Sequence, residues 1–299
     1  MQTDKELFEF IKENYPLNPG TKFVIETENK LRNAARKVDR NIRIKQLSFA
    51  FIGVMLFGIA SSWVYSESQK DVMPQIVTTI NEDKANAGNG EEPLVYLYQT
   101  HNKESFNPEI GSTRIEDAMH HSNNITLIGE RLTNELKERN ISTIHDKTDI
   151  SKILKERNLS YEKSYAISRE TLKASLEKNK GLKMIFDIHR DTLDRKVTTI
   201  NLNDKDYARL SFVISKSNPH YEENYNFALL LHDKIEEKYP GLSRGVVVNS
   251  GPPYNTYNQE LFANSVILDV GGVENSLEEG YRTMDAFSEI LKDVLNVLE

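Results

Sequence analysis

The chain's 299 residues leave room for one sizeable domain with a folded core, plus smaller extras. A formal net charge of −7 excludes a general nucleic-acid binder, which needs a broad basic face for phosphates. Cysteine is absent, so disulfides, thiolate metal sites and cysteine nucleophiles are excluded together, and a bound metal must rest on His, Asp or Glu.

Residues 1–46 are polar and mixed in charge. A short helix is predicted over Asp4–Asn14, which Pro16, Pro19 and Gly20 interrupt. Basic residues then gather between Lys30 and Lys45 against the single acid Asp39. They abut an uncharged apolar run from Leu47 to Tyr65, just long enough for the roughly 20 residues that cross a bilayer core. A buried core helix rarely combines an all-round apolar surface with such flanking asymmetry. A cleaved signal peptide has a far shorter polar lead. The run therefore reads as a signal anchor at 47–65: a single-pass span in the cell membrane, with the basic N-terminus cytoplasmic and the rest extracytoplasmic. Residues 66–93 read as a linker, too polar to bury a core, with a short helix over Val72–Ile80.

From 94 to 299 strand and helix patterns alternate. Strands are predicted at 94–100, 141–145, 183–189, 210–215, 245–249 and 265–270, and helices at 123–139, 160–178, 222–239 and 276–298, with Pro240-Gly241 ending the third. Such alternation predicts an α/β domain, a mostly parallel sheet with helices on both faces. Open sheets of this class bind ligands beyond the carboxyl ends of their strands. Three apolar runs end there in chemistry-bearing groups: Leu94–Thr100 in His101, Met184–Ile188 in His189-Arg190-Asp191, and Ser265–Leu268 in Asp269.

A catalytic zinc takes three protein ligands and a water. His101 and His189 supply two, and Glu104 is the natural third because a His-x-x-Glu turn can bring both side chains to one point; His121 is held in reserve. The water needs a base, which Asp269 can provide, with Glu274 as substitute. Asp187 and Asp191 can orient a histidine ligand, and Arg190 can hold a substrate carboxylate or an oxyanion. His120, His145, His220 and His232 lack this context and read as surface or hydrogen-bonded core. Arg169, Arg244 and the Tyr257-Asn258-Gln259 stretch fit substrate binding or loop support equally.

The ordered motifs Thr100-His101-x-x-Glu104, Ser164-Tyr165-x-x-Ser168-Arg169-x-Thr171 and Asp187-Ile188-His189-Arg190-Asp191 resemble the stage II sporulation protein P family. So do Tyr239-Pro240-Gly241-Leu242-Ser243-Arg244-Gly245, Tyr257-Asn258-Gln259 and the run from Asp269 to Glu279. The resemblance covers about the whole of 94–298. It implies a membrane-anchored peptidoglycan hydrolase of spore engulfment, related to zinc-dependent N-acetylmuramoyl-L-alanine amidases. Some members also cut peptide cross-links, and they act with a glycan-cleaving partner, stage II sporulation protein D. One residue departs from the pattern: the family has glutamate before Val-Gly-Gly where this chain has Asp269, one methylene shorter. A displaced base is costly, so one alternative is a catalytically weakened wall-binding relative that recruits partners; another is a metallocarboxypeptidase-like enzyme, since His-x-x-Glu with a later His also occurs there.

Overall fold

A computed structural model describes residues 92–251 and 255–298. The basic segment 1–46, the anchor expected at 47–65, the linker up to residue 91 and the short helices expected at Asp4–Asn14 and Val72–Ile80 lie outside the described residues. Among those described, no helix is long and apolar enough to cross a membrane.

Six strands form the main sheet: β1 (Val95–Tyr98), β2 (Thr143–His145), β3 (Met184–Asp191), β6 (Leu210–Ser215), β7 (Ser243–Asn249) and β8 (Ser265–Gly272), in the order β2-β1-β3-β8-β6-β7. The first four run parallel. β6 pairs antiparallel with β8, and β7 pairs parallel with β6. The sheet is thus mostly parallel with one reversal, and the reversal shapes the site. It brings the amino ends of β6 and β7 to the same edge as the carboxyl ends of β1, β3 and β8. A separate hairpin, β4 (Thr199–Leu202) and β5 (Lys205–Ala208), turns at Asn203-Asp204, both in the left-handed region; a two-residue hairpin turn of the primed kind favours Asn and Asp for that conformation.

Five longer helices flank the sheet: α1 (Thr126–Glu138), α2 (Ile150–Glu156), α3 (Ser164–Lys178), α4 (Tyr221–Lys238) and α5 (Leu277–Leu298). Strand residues alternate between faces. Met184, Phe186 and Ile188 of β3 join Val266 and Leu268 of β8 in the larger core, under α1, α4 and α5. Phe287 of α5 closes against Phe186 and Phe212, with ring centres 5.7 and 6.3 Å away. On the opposite face Ile185 meets Tyr96, Tyr98 and, from α3, Leu172. This second core covers the β1–β3 part of that face, whereas Val247 on β7 is 49% exposed. Asp187, His189 and Asp191 share the parity of Ile185, so they stand on this less covered face, at the end where the strands stop.

Candidate active site

The loop after β1 turns sharply: the Glu104 N–H donates to the His101 carbonyl at 2.9 Å, returning the Glu104 carboxylate toward the strand end. There Glu104 Oε2 lies 3.3 Å from His189 Nδ1 and accepts from the Arg190 N–H at 3.2 Å. The His101 and His189 rings stand edge to face, with centres 5.2 Å apart. His101 also stacks on Tyr161 at 4.5 Å and meets the edge of Tyr165.

Asp187, nearly inaccessible to solvent, fixes this arrangement from below. Its Oδ1 accepts from the Thr100 N–H at 2.8 Å and its Oδ2 from the Thr100 hydroxyl at 2.7 Å. Oδ1 also lies 3.1 Å from His189 Nε2, off the line of an ideal hydrogen bond yet close enough that attraction and hydrogen bonding both favour the protonated ring. With its one proton given to Asp187, Thr100 Oγ1 must receive from Ser168 Oγ, 2.8 Å away. Asn258 Nδ2 in turn donates to Ser168 Oγ at 3.0 Å. Gln259, beside Asn258, accepts from the Ser215 N–H and donates to the Val213 carbonyl, pinning the same loop to β6.

Charge follows this geometry. Burial alone would lower the His189 pKa, but the carboxylates of Asp187 and Glu104 outweigh it and hold the imidazole well above its ordinary value. Burial, with His189 close by, pushes His101 down to about 4. Burial would raise Glu104; His189 and Arg190 prevail and lower it. Asp269 is the register partner of His189, partly exposed at the crevice but walled by protein. Burial pushes its carboxyl up to about 7; His189 and Arg244 oppose the shift, while Asp191 and Glu104 add to it.

The structure therefore gathers His101, Glu104, His189, Asp187 and Asp269 at one sheet edge, with Asp191 beside them. Asp191 Oδ2 pairs with Arg244 Nη1 at 2.8 Å, and its Oδ1 accepts the N–H groups of Thr192 and Leu193. Arg190 has the other parity. Its Nε and Nη2 donate to the carbonyls of Ser105 and Ala118, so the donors expected to hold an oxyanion already anchor the His101–Glu104 loop. Glu274 is exposed and accepts the Arg195 N–H at 2.6 Å, engaged away from the cluster. His121 is exposed against His120. Arg169 pairs with Glu260 and reaches Asn258 Oδ1 at 3.4 Å, supporting the loop that holds Ser168. His145 and His232 bond Gln99 and Ser243 inside the fold. Sequence reasoning missed Thr100 and Ser168 as functional groups, and also Tyr161. Thr100 next to His101, one strand over from Asp187, was the available signal.

Among the described residues no three His, Asp or Glu side chains are gathered closely enough to form a ready metal cluster. Two pairwise separations nonetheless match those of donors on one ion. Two donors on one tetrahedral zinc, each at ~2.0–2.1 Å, stand roughly 3.3 Å apart, and two imidazoles on it have ring centres roughly 5 Å apart. His189 Nδ1 and Glu104 Oε2 are at 3.3 Å and the rings at 5.2 Å, and buried His101 Nδ1 has no hydrogen-bond partner. His101, Glu104 and His189 thus suit zinc, with Asp187 in the position of a carboxylate that orients a histidine ligand.

Residues 59–292 match the model of a family described as Stage II sporulation protein P (SpoIIP). The chain is 40% identical over 207 residues to "Stage II sporulation protein P" of Bacillus subtilis (strain 168), covering 69% of this chain and 52% of that protein. It spans about half the length of this curated relative. Among solved structures it is similar to the CwlD amidase from Clostridioides difficile, solved in complex with the GerS lipoprotein, at 13% identity and a TM-score of 0.46, covering 68% of this chain and 99% of that one. It is also similar to the N-acetylmuramoyl-L-alanine amidase from Clostridium difficile 630, at 13% identity and a TM-score of 0.40, covering 70% and 98%. Both structural likenesses are distant. The family match takes in well over half of the sequence, including every strand of the main sheet, and on that ground the chain belongs to the Stage II sporulation protein P family.

Proposed function

We propose that this chain is a zinc-dependent peptidoglycan hydrolase that cleaves the amide between the glycan lactyl group and L-alanine. The supporting observation is the grouping of His101, Glu104 and His189 beside the raised carboxyl of Asp269 in a member of a sporulation family. The uncharged run at 47–65 and its basic flank support attachment to the membrane with the hydrolase outside. The family resemblance supports a partner of the stage II sporulation protein D kind.

His101, Glu104 and His189 would hold the metal. When bound, zinc supplies Lewis-acid polarisation of the amide carbonyl and acidifies water. Asp187, locked by Thr100, keeps the His189 ring from turning. Asp269 takes a proton from the attacking water as its oxygen bonds to the carbonyl carbon, then returns that proton to the nitrogen as the C–N bond breaks and the amine leaves. A carboxylate beside the reacting water can make both transfers. Arg190 serves by holding the His101–Glu104 loop.

The test incubates the full chain with purified sacculi and follows new L-alanine amino termini, with and without chelator. Release should depend on metal, and His189→Ala should lose both release and bound zinc. Undiminished cleavage by that variant overturns the reading. The missing methylene at Asp269 favours one second reading, a weakened wall-binding relative; retained sacculus binding with no cleavage is its signature.

A further inference from the structure

A polar row runs across the open face of an otherwise apolar sheet. His189 on β3 pairs in register with Asp269 on β8, and Asp269 with Ser211 on β6. Beyond Ser211 the register between β6 and β7 slips: Leu210 pairs with Ser243 but Phe212 with Val246. Ser211 therefore faces two residues, Arg244 and Gly245, and Gly245 takes the left-handed φ of 89° that the bulge requires. Bulges beside active sites re-aim side chains, and this one sends Arg244 back along the row to Asp191.

Arg244 is engaged on one side alone. Nη1 meets Asp191 at 2.8 Å and the side chain is 9% exposed, while Nε and Nη2 are buried and without hydrogen-bond partners. Those two N–H groups lie on one edge of the guanidinium and form the side-on fork that grips a planar two-oxygen group. The same molecule shows the fork in use: Arg131 holds Asp285 through Nε and Nη2 at 2.6 and 2.9 Å. Nearby Ser211 Oγ is buried and unpartnered as well. Three unpaired polar groups in one row have the chemistry that receives an anion, because leaving buried donors unmade is expensive.

We propose that Arg244, with Ser211 beside it, is a carboxylate-reading subsite of the crevice. The ligand's identity rests on the peptidoglycan reading: the carboxylate is one of the stem peptide's, held where Arg244 reaches back to Asp191 at the end of the His189 strand. Asp269, the register partner of Ser211, borders the subsite on the side of the crevice. Arg244 selects the substrate and positions it; the chemistry stays with the groups at His189 and Asp269.

The experiment uses matched muropeptides whose stem carboxylates are free or amidated. They are presented to the full chain, to Arg244→Gln and to Arg244→Lys. Hydrolysis is read as kcat/KM, and equilibrium binding is read separately in chelator. The wild type should prefer the free acid by at least ~10-fold in both readouts, as a paired fork against a neutral amide implies. Arg244→Gln should erase that preference, and Arg244→Lys, which keeps the charge beside Asp191 but not the fork, should keep only part of it. If the glutamine variant fails to fold, the lysine variant decides: an undiminished preference there overturns the subsite. So does a wild type that does not discriminate, or a glutamine variant whose sole change is a shifted pH profile, which would make Arg244 a tuner of Asp269. A binding preference lost in the variant, with no hydrolysis by any form, would uphold the subsite and overturn the amidase. Hydrolysis without preference would do the reverse.

Discussion

Asp269→Asn should make the metal-free protein more stable at pH 8 while abolishing any hydrolysis. The folded carboxyl titrates near 7, against 3.8 for an ordinary aspartate, because burial disfavours its charge. Between those values the folded chain retains a proton that the unfolded chain has released. Stability therefore falls as pH rises through the window from about 4 to 7, and the full penalty is present above it. At about 1.4 kcal/mol per pH unit, the gap corresponds to a ceiling of roughly 4 kcal/mol, and partial opening to solvent trims it to ~2–4. Asn keeps the shape, carries no charge and breaks no hydrogen bond of the protein. Denaturant unfolding in chelator at pH 4 and pH 8 measures the effect: the variant should match the wild type at pH 4 and exceed it at pH 8. Equal stability at both values, or a variant weaker at pH 8, would refute the assignment of a strained, desolvated carboxyl.

Three further outcomes follow from the same geometry. Thr100→Val removes the 2.7 Å hydroxyl bond to Asp187 and should cost about 2 kcal/mol in chemical denaturation, the worth of a hydrogen bond to a buried charge; a loss below about 0.5 would mean the bond is idle. Asp187→Asn should weaken zinc binding ~10–100-fold in competition titrations, with the fold intact, as for other carboxylates that orient histidine ligands. Gly129→Ala places a methyl 2.5 Å from Gln99 Nε2 and 2.6 Å from His145 Nε2, so melting should show a loss of ~1–3 kcal/mol from overpacking, with the ratio of hydrolysis to bound zinc unchanged.

The strand ends were readable because a buried apolar run rarely stops in His or Asp except where the sheet opens on a crevice. Parity was readable too: alternation along β3 separates Asp187, His189 and Asp191 from Arg190, and it accounts for Arg190 reaching the carbonyls under the loop instead of the crevice. Direction was hidden. Nothing in Leu210–Ser215 or Ser243–Asn249 says that these strands run against the other four, because a buried strand has the same composition in either sense. The hairpin at Thr199–Ala208 carried its signal in Asn203-Asp204, yet its strands are short and half-exposed, with little apolar pattern. Thr100, Ser168 and Asn258 lie far apart along the chain, and only packing of α3 against β1 brings their small polar groups together.

Both oxygens of Asp187 are bound to a single residue, Thr100, through its main chain and its hydroxyl. The imidazole above is thus oriented by the pairing of β1 with β3, which forms when the chain folds. Part of its rotational entropy is surrendered at that stage, so less remains to be lost when a ligand arrives. Readiness for binding is in this sense a property of strand register, and conditions that leave the sheet standing leave His189 correctly turned.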